Sequence, residues 1–217
     1  MIRALISDFG GVLTTPLSAG FLAYQEEAGV SLEELGRAMQ RATEAQGEHP
    51  LFALERGEIA EAEFAGRLAE QLDGGFDLAR LRRLYFERID PNPPMIRYVG
   101  ELRGRGLRTA LLTNNVREWE PLWRAKLPQL DALFELVVDS SLVGMRKPER
   151  RIYDLTLERL GGGLRPEHCL FVDDLEVNCE AARSLGMAAV RFDDAEQAIA
   201  ESEEILRKLR AEGAGAP

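Results

Sequence analysis

Five short apolar runs, at residues 2–7, 108–112, 135–138, 169–172 and 188–192, each stop at a polar residue or glycine. Runs of that length with such boundaries read as strands buried on both faces. The segments between the later runs carry helical spacing instead. Ile152, Leu155 and Leu160 follow Lys147 and Pro148, and Val177, Ala181, Ala182 and Leu185 form an apolar stripe after Asp174. Pro148 is expected at a first helical position, and Gly186 at the end of the second stripe. A last helix is expected over 195–210, with residues 213–217 frayed. Strands alternating with helices give an α/β fold, a parallel sheet covered by helices.

Residues 16–89 break this alternation. They offer no convincing strand and read as several helices. One covers 17–28 and ends at Gly29, and Ser31 with Glu34 forms a capping box for the next. Ile59, Phe64, Leu68 and Leu72 mark a third helix, and Leu78, Leu81, Leu84 and Tyr85 a fourth. Asp90-Pro91-Asn92-Pro93-Pro94 then interrupts the pattern before the strands resume. The expected division is an α/β core domain of residues 1–15 and 90–217, with a helical domain of residues 16–89 inserted after the first strand.

Charge narrows the partners. Acidic residues number 37 against 27 Lys plus Arg, a net charge of −10. Nucleic acid and anionic membrane surfaces require a basic footprint, so neither is expected as the main partner. A small phosphorylated ligand needs only a few local cations and stays open. No apolar run approaches the roughly 18 residues of a membrane span, and the start at Met1-Ile2-Arg3 fits no signal peptide. Two cysteines cannot form a disulfide framework. A soluble, cytoplasmic protein is expected, of undetermined oligomeric state.

Ligands of open parallel sheets bind beyond the carboxyl ends of the strands. The first strand delivers Asp8, then Phe9-Gly10-Gly11-Val12; the second delivers Thr113-Asn114-Asn115. Lys147 precedes a helix, and the fourth strand delivers Asp173-Asp174, with Asn178 four residues after the second of them. Carboxylate oxygens suit Mg²⁺, which takes one or two of them plus substrate phosphate, and a carboxylate can also act as a covalent nucleophile. Thr113, nearby backbone N–H groups and Lys147 would hold phosphate oxygens. Each piece also has a plain reading. Asp8 suits a turn, Thr113-Asn114 and Asp173-Asp174 suit helix caps, and Lys147 suits a solvated surface. Only the four together, in this order at strand ends, point to chemistry.

The ordered set Asp8-Phe9-Gly10-Gly11-Val12, Leu111-Leu112-Thr113-Asn114, Lys147-Pro148 and Phe171-Val172-Asp173-Asp174 resembles the four motifs of the haloacid dehalogenase superfamily. The resemblance covers nearly the whole chain and implies a Rossmann-like sheet, with 16–89 as that family's helical cap. Glu55-Arg56-Gly57-Glu58-Ile59, and Gly144-Met145-Arg146-Lys147-Pro148 with Arg151-Ile152-Tyr153, resemble the bacterial α-D-glucose-1-phosphate phosphatase subgroup. By that similarity Asp8 is the nucleophile, Thr113 and Asn114 bind phosphate, and Lys147 steadies both. Asp8, the Gly10 carbonyl and Asp174 would ligate Mg²⁺, with Asp173 and Asn178 fixing its waters. The implied activity is a Mg²⁺-dependent phosphatase of a small phosphorylated metabolite such as a sugar phosphate, working through an aspartyl-phosphate.

One position departs from the pattern. Most phosphatases of the superfamily carry a second Asp two residues after the nucleophile, where this chain has Gly10. Losing a general acid–base group costs about 10²–10⁴ in rate, so a leaving oxygen that needs little protonation is favoured. His49 and Glu55 are the candidates to replace it. Two competing readings remain: a 2-haloacid dehalogenase, disfavoured by the paired acids, and a catalytically impaired binding or regulatory module, motivated by Gly10. Arg146, Arg150 and Arg151 form a basic cluster around Lys147 that reads as a solvated helix start, with the alternative that one of them draws phosphate into an otherwise acidic protein; Trp119, Trp123 and Tyr153 read as packing.

Overall fold

The computed structural model describes residues 1–16, 18–72 and 75–214. The chain opens with β1 (Ala4–Ser7) and then runs through five helices: α1 (Ser18–Ala28), α2 (Leu32–Gln46), α3 (Pro50–Glu55), α4 (Glu61–Ala69) and α5 (Leu78–Arg88). Alternation resumes with α6 (Pro93–Gly104) and β2 (Arg108–Thr113), followed by α7 (Glu120–Lys126) and α8 (Leu130–Leu133). Next come β3 (Leu136–Asp139), α9 (Ser140–Val143), α10 (Arg150–Leu160) and β4 (Cys169–Asp173). The chain closes with α11 (Glu176–Ser184), β5 (Ala188–Arg191) and α12 (Ala195–Ala214).

The five strands form one parallel sheet in the order β3-β2-β1-β4-β5, the expected α/β architecture. Alternate side chains of each strand serve opposite faces. Ile6, Leu112 and Phe171 pack with Ile152, Tyr153 and Cys179 on one face. Leu5, Leu111 and Leu170 pack with Val99, Leu102 and Leu206 on the other, in a cluster that continues into the inserted helices through Leu54, Leu68 and Leu84. Both cysteines are buried and free. The chain leaving β1 and the chain returning to the sheet run side by side. Thr14 and Pro91 bridge in antiparallel fashion, Thr15 N–H donates to the Asp90 carbonyl at 2.8 Å, and Asn92 N–H donates to that of Leu13 at 2.8 Å.

The capping box at Ser31 forms as expected: the Ser31 hydroxyl accepts from Glu34 N–H at 3.1 Å, and a Glu34 carboxylate oxygen accepts from Ser31 N–H at 2.8 Å. Three expectations need correction, and α3 is an added helix, its six residues too few to establish a helical period. The third expected helix is shorter, since Ile59 sits in the turn after Gly57 and Leu72 lies past the end of α4. Pro148 does not start a helix. It sits inside a turn closed by Glu149 N–H on the Arg146 carbonyl at 2.8 Å, with a cis Lys147–Pro148 peptide, and α10 begins at Arg150. Val177 is 52% exposed, because α11 turns Asn178, Cys179 and Ala182 inward instead. Leu17, expected to begin the first helix, lies outside the described residues, as do residues 215–217 of the tail expected to fray; 213 and 214 continue α12. Among the described residues, no helix is long and apolar enough to cross a membrane.

Candidate active site

Strand order reverses at β1, so the carboxyl ends of β1, β2 and β4 face one crevice between the sheet and the inserted helices. A cleft of about 420 Å³ occupies it, lined by Asp8, Gly10, Thr113, Asn114, Lys147 and Asp174 among others. The residues singled out at four separate places in the sequence therefore meet in one space.

Lys147 is the hub. Its side chain is 1% exposed, and its Nζ lies 2.7 Å from Oδ1 of Asp8 and 2.6 Å from Oδ2 of Asp173. Burial works against the ammonium, yet the Asp173 and Asp8 carboxylates outweigh it and hold its pKa above the ordinary lysine value. A solvated surface role is excluded. The segment is pinned by Asn114, whose Oδ1 accepts from Lys147 N–H at 2.8 Å and whose Nδ2 donates to the Lys147 carbonyl at 3.0 Å. The Asn114 side chain is thus not a helix cap; it fixes the backbone that carries the lysine.

Asp173 is saturated. Its Oδ1 accepts from Leu175 N–H and from Asn178 Nδ2, both at 2.9 Å, while Oδ2 takes the lysine. Asn178 is held in turn by its carbonyl, which accepts the Tyr153 hydroxyl at 3.0 Å. Tyr153 does more than pack. Asp174 is less enclosed, and one oxygen each from Asp8, Asp173 and Asp174 fall within 4.8 Å of one another. Burial raises the Asp8 carboxyl to about 7, with Lys147 opposing and Asp173 and Asp174 adding to the rise. Burial, then Asp173, raises Asp174 as well. Three carboxylates facing one ammonium leave excess negative charge, which a hard divalent cation would balance with oxygen donors alone. The residues present fit such an ion. Gly11 makes the approach possible: its φ is +81°, and a Cβ there would stand 2.5 Å from Oδ2 of Asp174.

The Glu55-Arg56-Gly57-Glu58 stretch docks the insert on the loop before Lys147. Arg146 Nε donates to Oε2 of Glu55 at 2.6 Å, and Ser140 Oγ donates to the Glu55 carbonyl at 2.6 Å. Arg56 pairs with Glu58 at 2.8 Å and reaches Glu149 at 3.5 Å. A Cβ on Gly57 would stand 2.3 Å from the Ser141 carbonyl oxygen, so only glycine lets the chain come this close. Glu55 lines the cleft, and burial raises its pKa against the pull of Arg146. His49 is absent from the cleft wall and stacks on Phe52 at 4.4 Å. The expected basic cluster divides: Arg146 is half-buried beside the site, whereas Arg150 and Arg151 face solvent. Tyr85, read from sequence only as a helical apolar position, lines the cleft, as does Trp123.

Comparison with known proteins agrees with this picture. A family profile described as haloacid dehalogenase-like hydrolase matches residues 2–186. The chain is 31% identical over 94% of its length to acyl-CoA dehydrogenase family member 10 of Mus musculus, but spans only 19% of that relative. It is 28% identical to a sesquiterpene phosphatase of Aspergillus oryzae, covering 88% of this chain and 90% of that one. It is also 28% identical to a phosphorylated carbohydrates phosphatase of Thermotoga maritima, covering 87% and 84%. Among solved structures, a HAD-like hydrolase of Porphyromonas gingivalis aligns with a TM-score of 0.73 at 23% identity, over 95% of this chain and 98% of that one. A HAD enzyme of Bacteroides thetaiotaomicron, solved with magnesium and inorganic phosphate, aligns at 0.66 and 23% identity over 88% and 94%. Those two show a shared fold. With most of its length matched by one family and the fold in agreement, the chain belongs to the haloacid dehalogenase-like hydrolases.

Proposed function

We propose that the chain hydrolyses phosphate monoesters of small organic molecules, with Asp8 as the nucleophile. The observation that carries this is the buried Lys147 ammonium shared between Asp8 and Asp173 in the wall of a cleft that also presents Thr113 and Asp174. An anionic nucleophile and an anionic substrate repel, and a buried cation between them offsets that repulsion. The phosphatase names of two relatives support the same reading. The division into a core of residues 1–15 and 90–217 and a cap of residues 16–89 belongs to this proposal, supported by the paired chains at Thr14 and Pro91.

In the first step an Asp8 carboxylate oxygen bonds to phosphorus as the P–O bond to the organic group breaks. The electron pair leaves with that oxygen, which takes a proton from solvent. Water then adds to the phosphorus of the aspartyl-phosphate, gives up a proton to solvent, and the bond to Asp8 breaks, returning the carboxylate and inorganic phosphate. Thr113 Oγ1, the second Nδ2 hydrogen of Asn114 and Lys147 Nζ hold phosphate oxygens. Asp8 and Asp174, with the Gly10 carbonyl, would hold Mg²⁺, and Asp173 with Asn178 would steady the site around it. That ion supplies charge neutralisation for the phosphate and its transition state.

The glucose-1-phosphatase resemblance points to sugar phosphates, and the Thermotoga maritima relative lends it support. The test is a panel of sugar phosphates, aryl phosphates, acyl phosphates and 2-chloropropionate, assayed with Mg²⁺ and with chelator. Metal-dependent phosphate release is expected. Metal-independent chloride release would establish dehalogenation, and silence across the panel would leave a binding module.

A further inference from the structure

A second cavity, of about 210 Å³, borders the catalytic cleft on the side of the inserted helices. Leu35 and Met39 of α2, Leu51 and Leu54 of α3, Phe64 of α4 and Leu81 of α5 wall it. The two spaces meet at Phe21, Glu55, Tyr85, Asn114 and Asn115, which line both.

The polar groups at that junction are already engaged. Glu55 is paired with Arg146, the Asn114 amide holds the Lys147 backbone, and Asn115 Oδ1 accepts from Val116 N–H at 2.9 Å. The remaining side-chain polar groups among the lining residues are the Tyr85 hydroxyl and the Trp119 indole N–H, the latter without an acceptor. A sugar ring brings a hydroxyl on nearly every carbon, and each one buried without a partner costs about 1–3 kcal/mol. Such walls favour hydrocarbon over a sugar ring, and on this point the chamber stands against the sugar-phosphate resemblance.

Resting on the phosphatase reading, we propose that this chamber is a substrate subsite and that the organic part of the substrate is apolar, a compact hydrocarbon or arene whose phosphate reaches Asp8. A dry cavity of about 150 Å³ holds a benzene molecule. The larger volume here takes a ring of that size with a short alkyl extension.

The experiment uses phenyl phosphates carrying para-hydrogen, methyl, ethyl and propyl groups, whose leaving oxygens are nearly equal in acidity. With Mg²⁺ present, kcat/KM is expected to rise about fourfold per added carbon until the chamber is full. The best of them should exceed glucose 1-phosphate by about tenfold or more. A flat series, or glucose 1-phosphate ahead of every aryl ester, overturns the proposal. Calorimetry with the matching arylphosphonates separates the two layers of argument. If no ester is hydrolysed, the phosphatase reading fails; affinity rising with the alkyl group then still supports the chamber, and affinity that stays level overturns it. Met39→Trp and Leu51→Trp, both at half-buried positions, fill the space from two helices. Each should cut the propyl-to-hydrogen ratio of kcat/KM by about tenfold, and ratios equal to wild type in both folded variants reject the chamber as the subsite.

Discussion

Arg146 Nε donates to Oε2 of Glu55 at 2.6 Å, while the backbone carbonyl of the same glutamate accepts the Ser140 hydroxyl. One residue of α3 thus grips the core at two points, α9 and the loop that delivers Lys147. Arg146→Ala removes the ionic half of that grip and leaves Glu55 buried without its partner. A loss of about 1–3 kcal/mol is expected, read as a fall in Tm of several degrees, together with a rise in KM larger than the fall in kcat. Unchanged Tm and KM would show that the pair is ornamental.

Asp8→Asn keeps the shape of the side chain and removes its nucleophilicity. Turnover should fall about 10⁴-fold or more, and mass spectrometry should trap no covalent phosphate. Activity within about tenfold of wild type would remove Asp8 from the role.

The same substitution tests the electrostatics. Asp8 is raised by burial from 3.8 to about 7, so the folded state binds the proton more tightly than the unfolded chain. A raised carboxyl weakens the fold as pH climbs from about 4 to about 7, and its full penalty stands above that window. In chelator, Asp8→Asn should therefore gain stability relative to wild type on going from about pH 5 to about pH 8. Melting curves of both proteins at the two pH values decide it; a relative loss at the higher pH contradicts the shift.

Asp173 and Asp174 are adjacent and should fail differently. Asp173→Ala leaves Lys147 and Asn178 without their shared acceptor, a break worth about 3–5 kcal/mol in a buried pair. Its Tm should drop by about 10 °C. Asp174→Ala should hold its Tm and lose Mg²⁺ affinity by calorimetry. The reverse pattern would exchange the two roles.

Gly10 bears no acid. Rates should depend steeply on the acidity of the departing oxygen, because charge develops there unprotonated. Glucose 1-phosphate should therefore outpace glucose 6-phosphate, and nitrophenyl phosphate should outpace phenyl phosphate. Equal rates within each pair would mean that a cleft residue donates the proton, with Glu55 the first to replace.

The sheet and its chemistry were legible because strand ends are marked in one dimension: Asp8, Thr113 and Asp173 each close an apolar run. Lys147 and Asp174 were legible by their place in that order. The walls of the cleft were not. Tyr85 and Trp123 reach it from helices whose periodicity reports only which face is apolar, not what that face meets, and Arg146 from a turn that has no period. Asn114 shows the same gap, since its pair of hydrogen bonds to the Lys147 backbone spans residues that no local pattern connects. The helix at 50–55 and the turn at 146–149 escaped because tertiary contacts, not propensity, set their limits.

The antiparallel bridge between Thr14 and Pro91 holds the two ends of the helical insert side by side, much as a hinge pin joins two leaves. A segment whose ends already touch can be lengthened, shortened or exchanged with little added cost of loop closure. The walls of the chamber can thus be reworked while Asp8, Thr113 and Asp173 at the strand ends stay as they are. Experimentally, grafting at 15 and 90 offers a direct way to pass new specificities onto the same sheet.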